Sequence, residues 1–235
     1  MNPVTITAGV LSGAAAAMAW AVRAPSATLL APGFHRGVRT RRAVALTFDD
    51  GPSESTPLLL DVLANHGVRA TFFQCGANAR RLPSIARQVA EGGHSIGNHG
   101  ASHVLLSLRS AEFIFAEMAE AQEAIAAATG CEPRYFRPPY GVRWFGMRKA
   151  QKRLRLTSVL WSTIGKDWKW PADAVARRLL AGATNGAIFC LHDGRALLTR
   201  PDVANTIEAV GRVIPILRDR GFHFETVNEI ICPTS

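Results

Sequence analysis

The stretch Val44-Ala45-Leu46-Thr47-Phe48-Asp49-Asp50-Gly51-Pro52 sets the fold. Its first half, Val44–Thr47, is a short apolar and β-branched run of the kind a buried strand needs, and Asp-Gly-Pro behind it is turn chemistry. The same alternation continues along the chain. Strand-like runs are predicted near Ala70–Phe73, Ser95–Ile96, Tyr135–Phe136, Ser158–Trp161, Ala187–Leu191 and His223–Thr226. Between them, apolar residues three or four apart predict helices near Thr56–Asn65, Pro83–Glu91, Ala111–Ala128, Phe145–Arg153, Asp173–Ala181 and Val203–Arg218. Strand–helix alternation implies a mostly parallel sheet. Seven repeats without a Gly-rich nucleotide turn fit a closed or nearly closed barrel better than a doubly wound sheet. The expected fold class is therefore α/β, a single barrel domain over residues 43–235.

Ahead of the barrel, residues 4–22 carry no charge and form a candidate apolar helix. Nineteen residues at about 1.5 Å each nearly cross a bilayer core, so a membrane anchor is expected at 1–22. The rival is a signal segment ending at Ala19-Trp20-Ala21, which lacks the usual basic start. Residues 23–42 are expected to be a basic linker, with Arg23, Arg36, Arg39, Arg41 and Arg42 available to anionic membrane lipid. These features give an expectation of membrane association, with the catalytic domain cytoplasmic by the positive-inside rule or secreted if the segment is cleaved.

Charge and cysteines narrow the class. The chain of 235 residues has 27 Lys and Arg against 18 Asp and Glu, a net +9. Residues 1–48 hold five arginines and no acid, so only +4 belongs to the rest, which does not suggest a nucleic-acid surface. Cys75, Cys131, Cys190 and Cys232 form no C-x-x-C pair and are too sparse for a disulfide scaffold.

In a parallel barrel, function collects at the C-terminal ends of strands. Asp49 and Asp50 end the first run; adjacent carboxylates there repel unless a cation lies between them, although Asp-Gly-Pro also serves as an ordinary helix-capping turn. The third run leads to His99 and His103, four apart, which with one carboxylate make a two-His-one-Asp set suited to a divalent metal; surface or core histidines are the plain alternative. Later runs end in Arg137, a fork of donors for a carboxylate; Trp168, a wall for a sugar groove; and His192, a proton donor near neutral pH. Each alone has a structural explanation. Five successive strand ends bearing such groups is a pattern that packing does not predict.

Thr47–Pro52, His99–His103, Arg137–Tyr140, Asp167-Trp168 and Leu191-His192-Asp193 stand in the order of the five motifs of the polysaccharide deacetylases with a NodB-homology domain, carbohydrate esterase family four, which the chain resembles from about Ala43 to Val227. The resemblance implies a distorted (β/α)7 barrel. It implies Asp49 as catalytic base and Asp50, His99 and His103 as ligands of one divalent metal, zinc first, with cobalt or a related ion as alternatives. It also implies His192 as general acid, Arg137 orienting the base and Asp167 pairing with the acid histidine. Tyr140 by its backbone N–H, with Trp168 and Leu191, would contact substrate. Two positions depart from the family pattern: Gly100 stands where Ser or Thr is usual, removing a hydroxyl that stiffens the metal loop, and Ile164 stands where a further Asp is common. The implied activity is removal of N-acetyl groups from N-acetylglucosamine units of a peptidoglycan or chitooligosaccharide type of glycan. A deacylase or deformylase of a lipid-linked amino sugar and an inactive glycan-binding barrel are the alternatives.

Overall fold

The computed structural model describes residues 3–233, with side chains from Gly13 onward. Nine strands form one all-parallel sheet: β1 (Gly33–Phe34), β2 (Ala43–Asp49), β3 (Thr71–Gln74), β4 (Ser95–Asn98), β5 (Tyr135–Phe136), β6 (Thr157–Val159), β7 (Thr163–Ile164), β8 (Ala187–His192) and β9 (His223–Phe224). Their order is β1-β6-β5-β4-β3-β2-β8-β7, with β9 paired to the start of β2. Among the described residues nine α-helices accompany them: α1 (Pro3–Arg23), α2 (Thr56–Asn65), α3 (Gly76–Arg81), α4 (Pro83–Glu91), α5 (Ala111–Thr129), α6 (Met147–Leu154), α7 (Ala172–Gly182), α8 (Ala204–Asp219) and α9 (Val227–Ile230).

Each of the seven expected runs contains a strand. The run expected at Ser158–Trp161 contains the end of β6, which lies beside β5, and is followed by β7, a further strand that pairs with β8 at the far edge of the sheet. Leu160–Ser162 bridges between them, bonded to Phe34 on one side and Ile188 on the other. No ladder joins β6 to β7 among the described residues, so the barrel is distorted and open there.

The period-2 alternation of parallel strands sorts side chains to two faces. Val44, Leu46 and Phe48 of β2 and Ala187, Phe189 and Leu191 of β8 point outward into the main core, with Leu59 and Leu63 of α2, Leu179 of α7 and Val210, Val213 and Leu217 of α8. Ala43, Ala45, Phe73, Val159 and Ile188 fill the barrel interior. Thr47, Asp49, Cys190 and His192 share that inner parity, which delivers polar groups to one mouth. A third cluster, with Phe136 of β5, Ile114 and Met118 of α5 and Met147 of α6, lies beneath α5 and α6. Helix α5 is bounded by Ser110, which accepts from the Phe113 N–H at 3.1 Å, and by left-handed Gly130.

The segment expected as a linker at 23–42 is instead part of the body. Ala27, Leu30 and Ala31 are buried, Gly33–Phe34 extends the sheet beyond β6, and Arg41 forms a two-pronged ion pair with Glu225 at 2.7 and 2.9 Å. Arg143, fully buried, holds the end of α1 by donating to the carbonyls of Ala24 and Ala27. These backbone acceptors bind a buried cation to the segment, a contact that a composition-based reading does not register. Among the described residues no helix is long and apolar enough to cross a membrane; α1 is rich in Ala, Gly, Ser and Thr, whose transfer into lipid gains little.

Candidate active site

Strand ends β2, β4, β5 and β8 and the loops behind them surround a cleft of about 570 Å³, lined by Asp49, Asp50, His99, His103, Trp168 and His192 among others. Register puts Asp49 directly opposite His192 across β2 and β8. The chain then turns sharply at Asp50, whose φ of 72° is left-handed. Gly51 makes this turn possible: a Cβ there would meet the Asp193 carboxylate. Asp193 is buried and caught beneath the turn, accepting from the Thr56 hydroxyl at 2.6 Å. Burial pushes its carboxyl up to about 7; the Thr56 bond opposes this, and the nearby Asp50 and Asp49 add to it.

Asp50 Oδ1 lies 2.9 Å from His103 Nε2 and 3.3 Å from His99 Nε2. All three side chains are almost fully buried. Yet Oδ1 has no hydrogen-bond partner, because neither ring N–H is directed at it. A carboxylate oxygen and two imidazole nitrogens converging without donor alignment are the donor set of a divalent cation such as zinc, and a buried oxygen left unpaired at such a point fits a cation in the same place. Burial would raise the Asp50 carboxyl, but the His103 and His99 rings outweigh it and hold it well below the usual carboxylate range. The other Asp50 oxygen, Oδ2, accepts from the Ala196 N–H at 2.8 Å, and Asn78 ties both segments together by donating to the Asp50 and Ala196 carbonyls at 2.8 Å each. His99 Nδ1 meets the Arg137 carbonyl at 2.7 Å, which fixes the proton on Nδ1 and turns Nε2 to the centre.

The loop between the two histidines explains the unusual Gly100. Its φ is 81°, and its N–H reaches the Asn98 side chain at 2.8 Å. A hydroxyl residue would be strained there. Stiffening comes instead from Glu117 of α5, which accepts from the Ser102 N–H at 3.0 Å and its hydroxyl at 2.7 Å.

Two charge pairs flank the centre. Arg137 is completely buried and donates to Asp49 Oδ1 and to Thr47 Oγ1, both at 2.6 Å, while the Val159 and Leu160 carbonyls accept from Nε and Nη2 and the Phe73 ring centroid lies 4.1 Å from the guanidinium carbon. Asp49 Oδ2 thus remains toward the cleft, 3.4 Å from Cys190 Sγ and 4.0 Å from His99 Nε2. On the other side His192 Nδ1 meets Asp167 Oδ1 at 2.9 Å; Asp167 Oδ2 accepts from the His192 N–H at 2.8 Å and the Thr206 hydroxyl at 2.5 Å. Burial lowers the imidazole's proton affinity, but the Asp167 charge and hydrogen bond, with Asp50 and Asp49 behind them, raise it to about 9.

Of the expected substrate contacts, Tyr140 lines the cleft with φ of 60° and its ring 4.8 Å from that of His103. Trp168 stands on the rim, edge-on to His192 at 5.0 Å. Leu191 does not belong with them. It lies one residue out of phase with Cys190 and His192, so its side chain is buried against the helices. Leu198, exposed on the loop after β8, contributes the apolar wall together with Trp161 and Ile164. Cys190, Arg195, Ala196, Leu198, Glu117, Asn78 and Thr206 were not anticipated from sequence. Only Cys190 carried a usable signal, standing two residues before His192 on one strand.

Fold and site together define an open parallel α/β barrel whose C-terminal mouth carries a two-histidine, one-carboxylate centre between a buried Arg–Asp pair and a buried His–Asp pair. The chain belongs to the polysaccharide deacetylase family, whose model matches residues 36–159; members use a divalent metal. It is 38% identical over 188 residues to a chitooligosaccharide deacetylase of Sinorhizobium fredii, covering 77% of this chain and 87% of that one. It is 34% identical over 194 residues to the peptidoglycan-N-acetylglucosamine deacetylase PgdA of Listeria monocytogenes, covering 82% of this chain but only 39% of that longer relative. A solved peptidoglycan N-acetylglucosamine deacetylase in complex with 4-naphthalen-1-yl-N-oxidanyl-benzamide superposes with a TM-score of 0.79 at 32% identity, over 84% of this chain and 92% of the other.

Proposed function

We propose that this chain is a metal-dependent hydrolase that removes N-acetyl groups from N-acetylglucosamine units of a glycan of the peptidoglycan or chitooligosaccharide type, with zinc as its metal. One observation carries the reading: a divalent-cation donor set lies between a carboxylate with one oxygen facing the cleft and an imidazole held by a second carboxylate. A divalent cation held by Asp50, His99 and His103 would acidify a water and stabilise negative charge on the acetamide oxygen.

The remaining steps belong to side chains. Asp49 takes the water's proton at Oδ2, because Oδ1 is locked by Arg137. Arg137 keeps Asp49 from rotating away. As the C–N bond breaks, His192 gives the proton on Nε2 to the departing amine nitrogen, and Asp167 stabilises the imidazolium that carries it. Acetate and an amino sugar result. The Tyr140 backbone N–H is assigned to the developing oxyanion and Trp168 to a sugar face. Retention of every acid–base and ligand residue favours an enzyme over an inactive glycan-binding barrel.

The test is acetate release by full-length protein loaded with zinc, against chitooligosaccharides, peptidoglycan fragments and lipid-linked amino sugars. Acetate from either of the first two supports the proposal. Formate, or activity on the lipid-linked substrate alone, would transfer it to the deacylase alternative, and no release from any of them with full metal occupancy would overturn it.

A further inference from the structure

A second donor set stands beside the first. Asp49, Cys190 and His192 offer a carboxylate oxygen, a thiol sulfur and an imidazole nitrogen, all within 4.8 Å of one another. They lie on the inner face of adjacent strands and all line the cleft. Asp49 and His192 each have one atom committed and one turned to the cleft, and the Cys190 thiol donates to that second Asp49 oxygen. Asp49 Oδ1 is bound by Arg137, leaving Oδ2 with Cys190 Sγ at 3.4 Å. His192 Nδ1 is bound by Asp167, leaving Nε2. We propose that Asp49 Oδ2, Cys190 Sγ and His192 Nε2 form a second, inhibitory site for a thiophilic divalent cation such as zinc.

The donor chemistry selects the ion. Sulfur and imidazole suit zinc or cobalt, whereas magnesium and calcium prefer an all-oxygen set. Binding forms metal–sulfur, metal–nitrogen and metal–oxygen bonds; the S–H proton and any proton on Nε2 leave to solvent, and no oxidation occurs. The thiolate so formed adds to the negative charge of Asp49, Asp50 and Asp167 around the cleft, which lets two dications sit close together. The first-site ligand His99 has its Nε2 4.0 Å from Asp49 Oδ2, so the two sites share a wall. A cation there replaces the Cys190 thiol proton at Asp49 Oδ2 and occupies His192 Nε2, the two atoms assigned above to proton transfer. Excess zinc therefore lowers turnover by blocking both proton transfers. Metal binding at this site does not depend on the substrate assignment; only the inhibitory consequence rests on the proposed reaction.

The experiment is cobalt titration of metal-free, full-length protein in a Cys131→Ser/Cys232→Ser background, which removes the two exposed thiols. Bound cobalt is counted by equilibrium dialysis, and thiolate ligation is read from the near-ultraviolet charge-transfer absorption. Two equivalents are expected, with the thiolate band belonging to one of them. Cys190→Ser should keep one equivalent and lose the band, its retained first equivalent showing that the barrel is folded. His99→Ala/His103→Ala should keep the band and lose the other equivalent. A single equivalent without a thiolate band at saturating cobalt, or a band that survives Cys190→Ser, overturns the second site. A single equivalent that carries the thiolate band in the protein with both histidines intact would instead refute the metal part of the proposed function.

Discussion

Replacing Asp167 with Asn should move the pH dependence of the enzyme in a direction that the geometry dictates. The wild-type carboxylate accepts three hydrogen bonds: from His192 Nδ1, from the His192 N–H and from Thr206. An Asn can keep its oxygen at the Oδ2 position and retain the last two. Its NH2 then faces Nδ1, which must become an acceptor, so the imidazolium loses both its counter-charge and its donor site. In the wild type the His192 value stands at about 9 against an ordinary 6.5. At about 1.4 kcal/mol per pH unit, this corresponds to roughly 3 kcal/mol favouring the charged ring. Because the folded value is raised, that contribution to stability is fully present below about pH 6.5 and is lost as the pH climbs through about 9. Burial, the opposing influence, remains in Asp167→Asn, so the alkaline limb of kcat/KM should fall by about two units or more. A dication at Asp50, His99 and His103 lowers both values by its field, which makes the difference between the two proteins the diagnostic. The assay is acetate release from a soluble chitooligosaccharide across pH, alongside NMR titration of the His192 ring. A ring that titrates at the same pH in both proteins would refute the reasoning.

Asp49→Asn should retain near-normal metal content while turnover falls about a hundredfold or more, the usual size of a general-base contribution; elemental analysis beside kinetics checks it, and loss of metal from this variant would exchange the roles of the two carboxylates. Glu117→Ala frees both groups of Ser102 and with them the loop carrying His99 and His103, so zinc affinity should weaken about tenfold to a hundredfold in competition with a chromophoric chelator, the usual cost of losing an outer partner. Arg143→Met removes the donors that hold the carbonyls after α1; limited proteolysis should then cut within residues 24–31 at a faster rate, with a change in stability of about 1–3 kcal/mol by denaturant titration.

Periodicity and order made much of this molecule legible. The strand-like runs, the helices at Thr56–Asn65 and Pro83–Glu91, and the candidate ligands Asp50, His99 and His103 were all within reach of local patterns, because a buried strand must be apolar and chemistry in a parallel barrel gathers at strand ends. The motif order suggests the roles proposed for Asp49, Arg137, Asp167 and His192. What the linear pattern could not contain was parity and closure. Leu191 stands beside His192 in sequence but faces the opposite side of β8, and which of those sides lines the cleft is decided only by the closed sheet. The short helices α3 and α9 and the strands β1 and β7 are too brief to show a period, and β1 forms only because β6 offers it an edge. The compensation of Gly100 by Glu117 joins residues on a loop and a helix that share no motif, and the close approach of Cys190 to Asp49 depends on two strands being paired. Hydrogen bonds and metal-ligand distances act across space at about 2 to 3 Å. Sequence separation carries no information about them until the sheet has closed.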